Sequence, residues 1–87
     1  MIRNSAFENA NTLTKVIFNS GISYIGVDAF KNSSVSTFEF SSTTVPYLMG
    51  ASVFGEKVTS ILVPEALLSL YQMSNNFRMY SQYIQKK

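Results

Sequence analysis

The stretch Leu13-Thr14-Lys15-Val16-Ile17-Phe18 decides the fold of this chain, because its pattern occurs three times. It returns as Val-Ser-Thr-Phe-Glu-Phe at residues 35–40 and as Val-Thr-Ser-Ile-Leu-Val at residues 58–63, with apolar residues at the first, fourth and sixth positions. The copies begin 22 and then 23 positions apart, a period typical of solenoids, in which each repeat packs only against its neighbours. We therefore predict an α/β solenoid.

Side chains alternate between the two faces of a β-strand, so each copy has an inner and an outer set. Three such strands stacked in parallel would form a small parallel sheet of three strands. Its inner face should carry the large apolar residues Val16, Phe18, Phe38, Phe40, Ile61 and Val63. Its outer face should carry Lys15, Ile17, Thr37, Glu39, Ser60 and Leu62, which are the candidate ligand-binding residues.

A second periodic signal precedes each strand pattern: a small residue followed by phenylalanine. Aligning the blocks gives three columns, namely Ile2, Ile25 and Met49; Ala6, Ala29 and Val53; and Phe7, Phe30 and Phe54. We interpret the phenylalanine column as core packing on the wall opposite the strands. Turns are predicted at Asn19-Ser20-Gly21, at residues 41–44, and at Gly26 and Gly50.

After residue 63 the pattern becomes helical. Pro64-Glu65 favours a helix start, and apolar residues then recur at spacings of three and four until Ser74-Asn75-Asn76 interrupts them. A second short apolar stripe follows, made of Phe77, Tyr80, Tyr83 and Ile84. The predicted domains are 1–63, three repeats of which the first is truncated, and 64–87, a helical C-terminal cap that covers the last repeat.

Composition weakens several classes of function. The 87 residues contain no cysteine and no histidine, which removes disulfides, thiolate nucleophiles and every Ser-His-Asp or Cys-His arrangement. Seven Lys and Arg against five Asp and Glu give a net charge of +2 without a basic cluster, so nucleic-acid binding is not expected. No apolar run approaches the roughly 18 residues of a membrane span. We expect no catalytic residue, no metal and no cofactor.

The motif Ile25-Gly26-Val27-Asp28-Ala29-Phe30, followed by an apolar strand and later by Val63-Pro64, resembles the BspA-like, or Treponema pallidum type, leucine-rich repeats. The tail is similar to the C-terminal cap of that family at Val63-Pro64, Tyr71, Phe77, Tyr80 and Ile84. Departures from the family pattern are Ala10 and Ser33 where cysteine is frequent, Arg3 in place of glycine, and Val53 in place of alanine.

The resemblance implies a cell-surface or secreted protein that binds a host, matrix or cell-surface protein, with no membrane insertion in this segment. It also implies that the chain is the C-terminal part of a longer array. An uncapped N-terminal repeat would then invite self-association. The apolar residues expected to be presented there are Ile2, Phe7, Leu13, Val16 and Phe18.

Two alternatives to adhesion stay open. The segment could be a structural cap or spacer without a ligand of its own, which the sequence does not separate from a binding module. More remotely, it could belong to a polysaccharide-acting β-helix enzyme that uses Lys15 and Glu39. That pair is better explained as a cross-strand salt bridge worth about 0.2–1 kcal/mol. A β-helix coil would have two or three strands and would lack the Ala-Phe turn.

Overall fold

The computed structural model describes residues 2–18, 22–41, 44–50, 53–74 and 77–87. In these ranges the strands are β1 (Lys15–Phe18), β2 (Tyr24–Ile25), β3 (Thr37–Phe40), β4 (Tyr47–Leu48), β5 (Ser60–Val63) and β6 (Ile84–Lys86). Helix α1 (Leu68–Met73) lies between two 3-10 helices, Glu65–Leu67 and Arg78–Tyr83. The turn predicted at Asn19-Ser20-Gly21 lies outside the described residues, as do the centre of the turn at 41–44 and the helix break at Asn75-Asn76.

The larger sheet has the strand order β1-β3-β5-β6, and all of its strand pairs are parallel. The three repeated stretches therefore lie side by side, as the sequence predicts. The prediction of three strands is wrong, because β6 from the C-terminal tail pairs with the free edge of β5. This pairing satisfies backbone groups that would otherwise form an open sheet edge, and Ile84 continues the inner row beside Ile61.

A second, two-stranded parallel sheet forms from β2 and β4, and Ile2 extends it through a bridge to Ile25. Ile25 pairs with Leu48, so the third member of this column is Leu48 and the predicted Met49 is wrong. Leu48 is buried, whereas Met49 is 49% exposed. Ala29 lies four positions after Ile25, whereas Val53 lies five positions after Leu48. This extra residue in the third repeat is why an alignment on Gly26 and Gly50 selected Met49 instead of Leu48.

The turns that join the two sheets repeat at an interval of 23 residues. The amides of Ala6 and Ala29 donate to the carbonyls of Arg3 and Gly26, at 3.2 and 3.3 Å. Positive φ angles recur at Ser5 and Asp28, and again at Asn9 and Asn32. The second turn thus repeats the backbone conformation of the first, and the hydrogen bond from the Phe7 amide to the Ala29 carbonyl (2.7 Å) ties the two turns together.

One aromatic cluster fills the core between the sheets. Phe7 stacks on Phe30 with 5.1 Å between ring centroids, and Phe38 links Phe30 to Phe54 at 4.9 and 4.7 Å. The predicted phenylalanine column therefore belongs to one core, with a strand residue inserted into it. Phe18 is only 4% exposed, which corrects its placement among the residues presented at the first repeat, because other rings of the core cover it.

The tail contributes helical turns to the fold, and its side chains cover the core. Pro64 precedes the first 3-10 helix, Glu65 occupies its first turn, and the chain is extended again at Ser74. Tyr71 and Phe77 are fully buried, and their rings lie 5.2 Å apart. Phe77 also contacts Phe54, at 5.7 Å, so the tail closes the core at the third repeat.

Candidate functional site

All six candidate residues of the outer face belong to the larger sheet and fall into two rows across its strands. Parallel pairing aligns equivalent residues of neighbouring strands, so side chains of one row point to the same side. The first row is Lys15, Thr37 and Ser60, and the second is Ile17, Glu39 and Leu62. The structure thus brings together on one face all six residues that the sequence singles out.

The strand β6 adds residues to this face that sequence reasoning missed. Gln85 pairs with Leu62 and extends the second row. Lys87 follows β6, and its amide donates to the Val63 carbonyl at 3.0 Å. Its ammonium group reaches back across the face to donate to the Ser41 hydroxyl at 2.6 Å. No alternation of apolar and polar residues predicts a strand here, because the three residues that follow Ile84 are all polar.

Glu39 lies at the centre of the face between two lysines. Its Oε1 atom is 3.4 Å from Lys15 Nζ, and its Oε2 atom is 3.5 Å from Lys87 Nζ. The expected salt bridge between Lys15 and Glu39 is confirmed as a diagonal contact, since Lys15 pairs directly with Thr37. The Glu39 side chain is 22% exposed, against 49% for Lys15 and 30% for Lys87.

Apolar surface flanks this ion-pair cluster within the second row. Ile17 is 51% exposed on β1, and Leu62 on β5 is partly exposed on the other side of Glu39. Strands of a sheet lie about 4.8 Å apart, so the row presents an apolar, an acidic and a second apolar side chain over about 10 Å.

Beyond the amino ends of the strands, hydroxyl groups tie neighbouring repeats together. Ser36 Oγ donates to the Thr14 carbonyl at 3.5 Å, and Thr59 Oγ1 donates to the Ser36 carbonyl at 3.2 Å. Ser34 Oγ donates to the carbonyls of Ala10 and Leu13. These hydroxyls act mainly in holding the repeats in register.

Among the described residues, no three acidic side chains are grouped closely enough to hold a metal ion. Within the same ranges, no helix has the length and apolar character of a membrane span. The Lys15 and Glu39 side chains, suggested for the enzyme alternative, are paired with each other. The two criteria for a β-helix give different answers. The second and third repeats each have two strands, as a β-helix coil would, whereas the Ala-Phe turn that argues against a β-helix is present at Ala29-Phe30.

Repeats of 22 to 23 residues whose strands lie side by side in a parallel sheet fit a leucine-rich repeat protein. The family model for the BspA type leucine-rich repeat region, described in six copies, matches residues 1–85. The chain therefore belongs to the BspA type leucine-rich repeat family, which confirms the resemblance seen in the sequence. Comparison with curated proteins finds no match. Leucine-rich repeats are in general modules of protein interaction rather than enzymes.

Proposed function

We propose that this chain is a protein-binding module for adhesion, which acts as the C-terminal part of a longer cell-surface or secreted leucine-rich repeat protein. The outer face of the larger sheet takes the protein ligand, which is a host, matrix or cell-surface protein. Residues 1–63 supply the repeats and residues 64–87 supply the cap. The observation that carries the proposal is the aliphatic pair on either side of Glu39, made of the exposed Ile17 and the partly exposed Leu62.

Exposed apolar side chains favour binding over a purely structural role. A face that only meets water has no need of an aliphatic side chain exposed by half, whereas burying one in a complex stabilises that complex. Backbone hydrogen bonds to β3 and β5 hold the row in place, so little order has to be gained on binding. The face is also free of backbone irregularity, because every strand in it is parallel and in register.

The test is adhesion of the chain to an immobilised extracellular-matrix protein preparation. We expect the double variant Ile17→Lys, Leu62→Lys to reduce adhesion by about tenfold or more, because two contact residues are replaced by solvated charges. The matched control is Val27→Lys, which changes an exposed apolar residue outside the sheet. Equal adhesion of the double variant and the wild type, with thermal unfolding unchanged, would remove this face as the binding site.

The structural alternative is a cap or spacer, favoured by the complete burial of Tyr71 and Phe77 in the tail. A cap needs these residues but needs no particular outer face. If the wild-type chain does not adhere to any matrix preparation, while a longer protein that contains it does, the cap or spacer is the better description.

We also propose that the chain self-associates through the edge of β1. Within the described residues β1 pairs with β3 alone, and Ile2, Phe7, Leu13 and Val16 near that edge are only partly buried against the core. Unpaired strand edges beside apolar surface promote edge-to-edge pairing. Sedimentation velocity should show a dimer whose fraction grows with protein concentration. A monomer at every concentration would contradict this.

A further inference from the structure

We infer that the ligand segment recognised by the outer face is acidic, and that its carboxylate competes with Glu39 for Lys15 and Lys87. This inference rests on the proposed function, because it names the chemistry of the partner for the same face. It starts from the excess of positive over negative side chains at the centre of the face. Two ammonium groups share one carboxylate there, with one lysine on each oxygen atom.

The charge of the face follows from counting its side chains. Among the described residues, the outer face carries the positive charges of Lys15 and Lys87 and the negative charge of Glu39, and two minus one leaves +1. The chain as a whole carries +2. An acidic partner is therefore attracted to this face, and a basic partner is repelled from it.

Lys15 and Lys87 each form an ion pair with Glu39, but each ammonium group keeps a hydrogen-bond donor for another acceptor. Each ammonium group has three hydrogen-bond donors, and both side chains remain partly exposed. Exposed ion pairs of this kind are weak, because water screens them. A carboxylate from a partner can therefore join or replace Glu39 at little energetic cost.

Glu39 marks the position that such a carboxylate would occupy. It lies in register between Ile17 and Leu62, so a bound acid would have aliphatic surface on both sides. The nearby hydroxyls of Thr37 and Ser60, in the next row, add donors that suit a carboxylate. The face thus combines positive charge, hydroxyl donors and flanking apolar surface, which together fit an acidic segment of a protein.

The experiment measures binding of fluorescein-labelled hexaglutamate to the whole chain by fluorescence anisotropy at low salt, with labelled hexaglutamine as the neutral probe. We expect hexaglutamate to bind more tightly than hexaglutamine and to weaken with added salt. Lys15→Gln and Lys87→Gln should each weaken hexaglutamate binding by about 2- to 5-fold, the effect of one exposed ion pair. Glu39→Gln should strengthen it by a similar factor, because the variant removes the internal competitor.

The matched control is Lys31→Gln, which removes one positive charge from an exposed turn outside the sheet. If Lys31→Gln weakens hexaglutamate binding as much as Lys15→Gln does, the attraction is a general effect of net charge and the inference fails. It also fails if Glu39→Gln weakens binding or leaves it unchanged.

Failure of this inference can be told apart from failure of the proposed function. Suppose that the lysine variants leave hexaglutamate binding unchanged, while Ile17→Lys, Leu62→Lys still abolishes matrix adhesion. The face then binds protein through its apolar residues, and only the acidic partner is wrong. If that double variant adheres normally, the proposed binding face is wrong as well, whatever hexaglutamate does.

Discussion

The first repeat and the C-terminal tail bound the same core at its two ends, but they differ in how far they bury it. Phe7 in the first repeat stacks flat on Phe30 through one face and remains only partly buried. Phe77 in the tail is fully buried among Phe40, Phe54 and Tyr71. The difference shows that the tail covers the last phenylalanines of the core more fully than the first repeat covers Phe7.

The same difference appears in the inner row of the larger sheet. Val16 on β1 is partly exposed, although Phe38 and Ile61, its equivalents on β3 and β5, are fully buried. At the other edge Ile84 covers Ile61 and is itself only 5% exposed, because the tail folds over it. The tail thus provides both the last strand and the lid over that strand.

The largest expected effect compares the two ends directly through one phenylalanine column. Phe54→Ala should lower the free energy of unfolding by about 3–5 kcal/mol, because it leaves a cavity in a closed core. Phe7→Ala should cost only about 1–2 kcal/mol, because part of that ring is already in water. Urea unfolding followed by circular dichroism measures both. Equal losses would contradict the contrast between a closed and an open end.

A second, smaller effect concerns how tightly the third repeat is joined to the second. Gly55 has a φ of 78°, and a Cβ atom there would collide with the Phe30 carbonyl oxygen. Gly55→Ala should therefore cost about 1–3 kcal/mol in unfolding free energy, from strain at a positive φ and displacement of backbone.

Gly50→Ala is the matched control for this effect. A Cβ atom at Gly50 would meet the Val27 side chain, with Cγ2 at 3.0 Å and Cβ at 3.6 Å, but no backbone atom within 4 Å, and the φ of Gly50 is not positive. We expect its effect to stay within about 0.5 kcal/mol, as for most surface substitutions. A Gly55→Ala variant as stable as the Gly50→Ala variant would show that the backbones of the second and third repeats can separate without cost.

The smallest effect is a dependence of stability on pH at Tyr80, in the closed end of the core. Burial raises the pKa of Tyr80 above its ordinary value of 10.0, a hydrogen bond with the Phe54 backbone lowers it in part, and the nearby charges of Glu56 and Tyr83 raise it further. Since the folded state holds this proton more tightly than the unfolded state does, the resulting stabilisation is complete below the ordinary pKa. It is lost as pH rises through the raised pKa.

The measurement is the free energy of unfolding from about pH 9 to about pH 11, compared between the wild type and Tyr80→Phe. All other ionisable groups are the same in the two proteins, so the difference between them reports Tyr80. The wild type should lose more stability than Tyr80→Phe. If the two curves run parallel, Tyr80 has the same pKa in the folded and unfolded states.

The repeats were predictable because each one carries its own pattern. The period of 22 to 23 residues and the alternation within each copy placed β1, β3 and β5 side by side and put the six candidate residues on one face. The Met49 alignment was wrong because two signals disagreed by one residue. Aligning Gly26 with Gly50 places Met49 opposite Ile25. In the structure Leu48 is buried and pairs with Ile25.

The centre of the candidate site could be predicted only in part. The contact between Lys15 and Glu39 follows from neighbouring strands, since alternation along two aligned strands brings those side chains together. The contact between Lys87 and Glu39 joins residues 48 positions apart. It depends on the tail returning to the sheet after α1 and the two 3-10 helices. No local sequence pattern indicated this return.

The sequence alone determined the repeat, its period, the inner and outer sets of each strand and the family to which the chain belongs, because these depend on spacing within one repeat and between adjacent repeats. The tertiary structure decided that β6 is a fourth strand, that Leu48 rather than Met49 enters the core, and that Lys87 completes the ion-pair cluster. These features arise where the tail meets the last repeat. Side-chain burial and the need to pair the free edge of β5 select the arrangement there, and neither is encoded in a short stretch of sequence.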